Sequence, residues 1–347
     1  MPELIVTNFN LNFTGVSATA AGVVRQHASL FDMALAGQPL PGCPAPVSLP
    51  KARQLSRTAP DGKPFAIWHV RRNTEMRAAI WARDVLRLPI KIVFTSAAQR
   101  RHSAFPRWLI SRMDAVIATT EDAAKYVPHV HAVVPHGVDT DVFTPAPDRA
   151  AAWADTGHPG TVGIATVGRI RPEKGTDRFV AAMLAYLPTH PGATALVIGR
   201  AAASDQSFLG DLKAQIAAAG LTDRILFPGE IPAAELPALT RALSAIVQLP
   251  RYEGYGMTPL EGMASGVPFV ATDAGYYRSF SGQGTSGTIV PEDDTQATAS
   301  ALADILTNPA RLDKMAQSAR QSAQTHFSVK AEADGIARVY EQLWSGA

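Results

Sequence analysis

An α/β architecture with two doubly wound parallel sheets is what this sequence predicts, and three observations predict it. Short apolar, β-branched runs alternate with longer helical patterns along the chain. The 347 residues exceed the size at which a single core usually keeps growing, which argues for two domains. Between Asp139 and Gly160 the alternation stops among prolines and glycines, then begins again.

Taken in order, Leu4 to Phe9 reads as a strand, followed by a turn at Gly15 and an expected helix from about Ser17 to Asp32. Phe65 to Val70 reads as a strand, with Asn73 as the N-cap of a helix reaching about Arg87. Ile90 to Thr95, Ala115 to Thr119 and Ala132 to Val134 follow as strands, with a helix expected over Phe105 to Met113. The breaker-rich stretch contains Thr-Pro-Ala-Pro-Asp and Asp-Thr-Gly-His-Pro-Gly, and the expected linker is placed at 148–160. A first domain of 1–147 and a second of 161–326 result. In the second, strands are expected near Val162 to Val167, Thr194 to Ile198, Ile225 to Phe227, Ala245 to Leu249 and Phe269 to Ala271. Helices are expected over Thr176 to Tyr186, Phe208 to Ala219 and Glu235 to Leu243, and from about Asp294 the pattern is helical to the end. The last part, 327–347, is expected to pack back on the first domain. Two such domains would face each other across a cleft, and ligands of open α/β sheets bind outside the carboxyl ends of the strands.

Composition narrows the class. Hydrophobic residues make up 46% and charged residues 18%, as in ordinary globular proteins. The single cysteine, Cys43, rules out an intrachain disulfide and suits a reducing compartment. The start lacks the features of a signal peptide and no apolar run is long enough to span a bilayer, so a cytoplasmic location is expected. The net charge of +2 hides an asymmetry: Lys51 to Arg112 holds fourteen Lys and Arg against Asp61, Glu75 and Asp84, a local net of +11. That segment is read either as solvated helix faces or as a surface for a phosphorylated glycolipid, anionic membrane or nucleic acid. Aromatics are sparse among these cations and no nucleic-acid motif is present, which favours lipid or acidic glycan.

Two clusters carry the chemistry. Val167-Gly168-Arg169-Ile170-Arg171-Pro172-Glu173-Lys174-Gly175 sets three cations before a helix expected near Thr176. Cations at a helix N-terminus are unfavourable by a few tenths of a kcal/mol unless an anion arrives, and such termini with nearby glycines are ready phosphate sites. Arg169 suits a bidentate grip on phosphate oxygens, and Lys174 a point charge. The second cluster, Glu253-Gly-Tyr-Gly-Met-Thr-Pro-Leu-Glu261, sets two carboxylates around a glycine-rich turn. Thr258-Pro259-Leu260-Glu261 reads as a capping box with Thr258 as N-cap. Glu253 has no capping role and is expected to project into the cleft, where it can accept hydrogen bonds from sugar hydroxyls. The two clusters together describe a pocket for a diphosphate beside a polyhydroxylated group, as a nucleotide-sugar presents.

The strand followed by Gly168-Arg169, Lys174-Gly175 and the Glu253…Glu261 pair resembles the retaining glycosyltransferases of the GT-B fold, two Rossmann-like domains, in the group with glycogen-synthase-like and phosphatidylinositol mannosyltransferases. Pro135-His-Gly-Val-Asp139 with Phe143 and Pro145 is similar to that group's interdomain signature. The resemblance implies an N-terminal acceptor-binding domain and a C-terminal nucleotide-sugar-binding domain. It implies catalytic roles for Glu253, Arg169 and Lys174: the two cations on the donor diphosphate, Glu253 on the sugar hydroxyls. Glu261 would contact the ribose, the amides of Gly256, Met257 and Thr258 would cradle phosphate beside Gly168, and Gly15 would let the first domain close on the diphosphate. This chain has one glycine there where relatives often have two.

Ile67-Trp-His-Val-Arg-Arg-Asn-Thr-Glu-Met76 and Val93-Phe-Thr-Ser-Ala-Ala-Gln-Arg-Arg-His-Ser103 resemble lipopolysaccharide core mannosyltransferases of the alphaproteobacterial type. That implies GDP-mannose as donor and a Kdo-lipid A type acceptor, met at the inner face of the cytoplasmic membrane by a peripheral protein. His69, Arg71, Arg72, Arg100, Arg101 and His102 are the candidate acceptor contacts. Ser96, Ala97 and Ala98 stand where many relatives carry a His, for which His69 or His102 would substitute; a lone His is more often structural. No residue cluster has metal-ligand spacing, so neither metal nor cofactor is expected. A glucosyl- or galactosyltransferase making another glycolipid, a nucleotide-sugar epimerase and a non-catalytic nucleotide-sugar binder remain as rivals. A dinucleotide oxidoreductase is disfavoured, since no Gly-x-Gly-x-x-Gly follows the first strand.

Overall fold

The computed structural model describes residues 1–12 and 14–346. The chain divides into two compact units, Met1–Gly137 with Phe327–Ala347, and Val138–His326. Each unit is built on one six-stranded, wholly parallel sheet. In the first unit the strands are β1 (Leu4–Asn8), β2 (Met33–Gly37), β3 (Ala66–Val70), β4 (Ile90–Ser96), β5 (Ala115–Ala118) and β6 (Val130–Val133), in the spatial order 2-1-3-4-5-6. In the second they are β7 (Val162–Val167), β8 (Ala193–Ile198), β9 (Ile225–Gly229), β10 (Ala245–Gln248), β11 (Phe269–Thr272) and β12 (Gly287–Val290), in the order 12-11-10-7-8-9. The doubly wound α/β class expected from the alternation is therefore found twice.

Central strands such as β1, β3 and β5 are buried along their whole length, which is why they read as continuous apolar runs rather than alternating ones. The two strands the sequence pattern did not reveal, β2 and β12, are edge strands. β2 is Met-Ala-Leu-Ala-Gly, without a β-branched residue, and β12 is four residues long.

The last helix, Val329–Ser345, belongs to the first unit and packs on the helix Gly15–His27. Tyr340 is fully buried in that unit's core, His27 Nε2 lies 2.9 Å from the carbonyl oxygen of Ala333, and Trp344 Nε1 donates to the carbonyl of Phe65 at 3.0 Å. Glu332 fastens the point where the chain leaves the unit: its carboxylate pairs with His136 Nδ1 at 2.8 Å and accepts from the Gly137 amide at 2.8 Å. A Cβ on Gly137 would come within 2.3 Å of the Ser328 carbonyl oxygen, so glycine is required there.

The expected linker at 148–160 is corrected. Arg149–Asp155 is a helix of the second unit, N-capped by the Asp148 side chain, and the division between units falls at Gly137 and Val138. Trp153 is buried against Gly163, where a Cβ would meet its ring at 2.2 Å. The prolines and glycines mark the two ends of a short surface helix that is anchored by the buried Trp153. Among the described residues no helix is long and apolar enough to cross a membrane.

Candidate active site

The order of the second sheet reverses beside β7, which pairs with β8 on one side and β10 on the other. Such a reversal leaves a crevice outside the carboxyl ends of the two diverging strands, the usual ligand position in this topology. The loops that follow β7 and β10 are the two clusters singled out in the sequence. Lys174 comes from the first and Glu253 from the second, and Lys174 Nζ stands 2.6 Å from Glu253 Oε2. The strand pairing joins what 79 residues separate.

Each loop is shaped by a glycine that opens a helix. After β7 the chain makes a short 3-10 turn, Pro172–Lys174, then Gly175 takes a left-handed conformation (φ +68°) and the helix Thr176–Tyr186 begins. A Cβ on Gly175 would lie 1.8 Å from the carbonyl oxygen of Leu249, so only glycine lets the two loops approach. After β10, Gly256 is left-handed (φ +93°) and the helix Met257–Ala264 begins at the next residue. Neither helix has a side-chain cap. The expected capping box is thus corrected: Gly256, not Thr258, is the N-cap, because a left-handed glycine starts the helix before Thr258 can. Met257 and Thr258 therefore lie in the first turn, where amides have no partner within the helix, and Thr258 Oγ1 lies 3.5 Å from the Val167 carbonyl.

The cations are disposed unequally. Arg169 is exposed and has no ion-pair partner among the described residues. Lys174, Arg169 and Gly168 line one small cleft with Thr166, Thr176 and Gln248. Arg171 lies 3.7 Å from Glu173 and is the least committed to this cleft. Glu253 also accepts from the Gly254 amide at 2.9 Å, which fixes its carboxylate beside Lys174. Two helix N-termini and the cations Lys174 and Arg169 stand in this corner with the one carboxylate of Glu253, a field that favours an anion.

Glu261 is packed so closely that desolvation raises its pKa from 4.5 to about 7. Among the described residues no cation pairs with it, so a ligand that donates hydrogen bonds there would favour the ionised form. The sequence did not reveal the residues that brace these loops. Gln248 donates to the Val167 carbonyl at 3.1 Å, and Arg251 pairs with Asp177 at 2.7 Å, linking the loop after β10 to the start of the helix Thr176–Tyr186. The ring of Tyr277 lies where a side chain on Gly256 would have to go, at 2.1 Å. Among the described residues no group of three or more His, Cys, Asp or Glu is arranged to hold a metal ion.

The first unit sorts its candidates differently. Gly15 opens the helix Gly15–His27, with open space where a Cβ would stand. His69 is corrected to a structural role: it is fully buried, with Nδ1 on the Tyr340 hydroxyl and Nε2 2.7 Å from Thr95 Oγ1. Burial, then the nearby Arg71 charge, holds its pKa well below 6.5, so it is neutral and both ring nitrogens are committed. Arg72 is likewise engaged within the protein, donating to Asn8, Glu75, Thr14 and Ser17 at 2.9–3.2 Å. Glu75 explains that commitment: it is fully buried and accepts from the amides of Phe9 and Arg71, tying the loops after β1 and β3 together. Arg71 is buried with neither Nη atom hydrogen-bonded. Arg100 and Arg101 are exposed, and His102 is partly buried with its pKa lowered by burial and by Arg100.

Comparison with known proteins agrees with this geometry. HepE of Anabaena, solved in complex with UDP, superposes with a TM-score of 0.81 at 16% identity, covering 98% of this chain and all of that one, which shows the shared fold. The C-terminal domain of a group 1 glycosyl transferase (LpcC) from Francisella tularensis is 36% identical with a TM-score of 0.54, covering 55% of this chain and 99% of that domain. Residues 157–322 match the family model described as glycosyl transferases group 1. Over 344 residues the chain is 40% identical to the lipopolysaccharide core biosynthesis mannosyltransferase LpcC of Rhizobium leguminosarum bv. viciae, covering 98% of this chain and 96% of that protein. It is also 40% identical to LpsB of Rhizobium meliloti, which carries the same description, over 98% of this chain and 97% of that one. The chain therefore belongs to the group 1 glycosyl transferases, enzymes of the GT-B fold, and lipopolysaccharide core mannosyltransferases are among its full-length relatives.

Proposed function

We propose that this glycosyltransferase moves mannose from GDP-mannose to a lipopolysaccharide core acceptor of the Kdo-lipid A type, with retention at the anomeric carbon. The sugar and the acceptor class follow the descriptions of the two full-length relatives. The observation that carries the donor site is the Lys174–Glu253 pair, set beside two helix N-termini without side-chain caps.

In this reading Arg169 and Lys174 hold the diphosphate, with amides of Gly256, Met257 and Thr258 completing the cradle beside Gly168. A partly exposed ion pair is worth at most about 1 kcal/mol, and charge-assisted bonds to phosphate are stronger than neutral ones. Diphosphate therefore takes Lys174 from Glu253 at small cost, and the released carboxylate accepts from the hexose hydroxyls. Glu261 accepts from the ribose. The acceptor hydroxyl attacks the anomeric carbon from the face the diphosphate leaves. The bond from that carbon to the diphosphate oxygen breaks as the new glycosidic bond forms, and the hydroxyl proton passes to the departing oxygen. No protein nucleophile takes part; the chain supplies position and stabilises the charge growing on the diphosphate. Arg71, Arg100, Arg101 and His102 of the first unit remain the acceptor candidates, and the basic segment favours peripheral contact with the inner face of an anionic membrane.

The test is to incubate purified protein with a panel of nucleotide-sugars, with and without Kdo-lipid A, and to weigh the products. One hexose added to Kdo-lipid A from GDP-mannose alone is the expected result. Transfer only from uridine-based donors would favour a glucosyl- or galactosyltransferase, and donor consumption independent of acceptor would favour an epimerase.

A further inference from the structure

Between Asn73 and Ser111 the first unit exposes large apolar side chains that its own core does not use. The helix Asn73–Ile80 runs on into a wide π turn, Trp81–Val85, so Arg77, Trp81 and Val85 follow one another at four-residue spacing. The helix Ala104–Ser111 presents Phe105 and Trp108 three residues apart, their rings stacked with centroids 6.1 Å apart. Trp81 is 42% exposed, Val85 62%, Phe105 51% and Trp108 55%. These four side chains line an open groove of about 600 Å³. On the other side of Trp108 lies a second groove, lined by Arg107, Lys125 and Tyr126 among others.

The rim is cationic. The Arg53 guanidinium lies 4.2 Å from the centre of the Trp81 ring, Arg77 lines the apolar groove, and Arg107 flanks it. The nearby carboxylates are already neutralised: Asp84 pairs with Arg83 and Arg112, and Asp114 with Arg83. Of the basic segment Lys51 to Arg112, the cations Arg53, Arg77 and Arg107 therefore stand around an apolar centre. Aromatic and aliphatic side chains surrounded by Arg and Lys match the boundary between acyl chains and phosphate headgroups.

We propose that this face docks the protein on an anionic lipid bilayer, with Trp81, Val85, Phe105 and Trp108 entering the headgroup–acyl boundary and Arg53, Arg77 and Arg107 meeting lipid phosphates. The proposal deepens the reading of a lipid-borne acceptor by naming the surface that reaches it, but docking needs neither donor nor acceptor. It is tested by co-sedimenting the full chain with phosphatidylcholine vesicles and with mixed phosphatidylcholine–phosphatidylglycerol vesicles. Binding to the mixed vesicles alone, weakening as salt rises, is expected. The pair Trp81→Ala and Trp108→Ala should weaken it about tenfold or more, and the pair Arg77→Glu and Arg107→Glu should abolish it. All four positions are at the surface, so thermal unfolding and transfer to a deacylated, water-soluble acceptor should be unchanged.

Failure of the unaltered chain to bind mixed vesicles, or variants that bind as well as it does, would overturn the proposal. So would concentration-dependent dimerisation that these substitutions abolish, which would give the face to a second copy of the chain. Vesicle binding without any mannosyl transfer would count against the proposed function and leave the docking face standing.

Discussion

Lys174 and Glu253 are each other's partner at 2.6 Å, and that contact decides what each substitution should do. Lys174→Ala removes a cation from the proposed leaving group and should lower kcat by about 100-fold or more, as loss of an oxyanion donor does; steady-state rates with the donor saturating check it. Glu261 gives a prediction in pH. Its folded pKa of about 7 lies above its ordinary 4.5, so between those values the folded protein keeps a proton that the unfolded chain has lost. Stability from this group therefore falls as pH rises from 4.5 to 7, by at most about 3–4 kcal/mol. Thermal unfolding should show Glu261→Gln relatively more stable at pH 8 than at pH 5 when compared with the unaltered chain. If ionised Glu261 accepts from ribose, nucleotide affinity measured by calorimetry should also rise with pH across about 7. Both carboxylates and both cations could be named from the sequence because they follow apolar runs and lie among glycines. Their pairing could not, since it depends on β10 lying beside β7. His69 looked available for the same kind of reason: what buries it is Tyr340, 271 residues further on.

Helix starts decide the geometry of the donor loops, and here local pattern misleads. Thr258-Pro-Leu-Glu261 satisfies the capping-box rule, yet the helix begins at Met257 behind a left-handed Gly256. The rule reads side chains, and the deciding quantity is a backbone angle, at a position where the Tyr277 ring leaves no room for a side chain. Gly175 makes the same point more sharply. Gly175→Ala would combine a left-handed alanine with a Cβ overlapping the Leu249 carbonyl. It should cost about 1–3 kcal/mol or more, visible as a lowered Tm, and should weaken nucleotide binding by parting the two loops. The helix Arg149–Asp155 went unread because seven residues between prolines and glycines give too little periodicity. The interior strands were legible because burial on both faces makes them continuous apolar runs.

At the level of the entire chain, the second unit is continuous and the first is not. A fragment Val138–His326 carries its own sheet and core and should unfold cooperatively on its own, as followed by circular dichroism. Residues 1–137 alone should not, because the first unit's core includes Ile336, Val339 and Tyr340. Alternation of strand and helix was enough to announce two sheets. It could not announce strand order, which places both donor loops at one reversal, nor the cationic apolar face, which needs two helices and a π turn brought together.

The final helix closing the first sheet has a consequence for biosynthesis. Nascent chains usually fold from the N-terminus onward, at about 5–20 residues added per second. Here the order inverts: residues 1–137 wait about 10–40 s at that rate for the segment Phe327–Ala347 that completes their core. Meanwhile the later-made unit can already have folded. During that interval the half-built sheet, with apolar ground awaiting Tyr340, is the portion of the nascent polypeptide most in need of a chaperone.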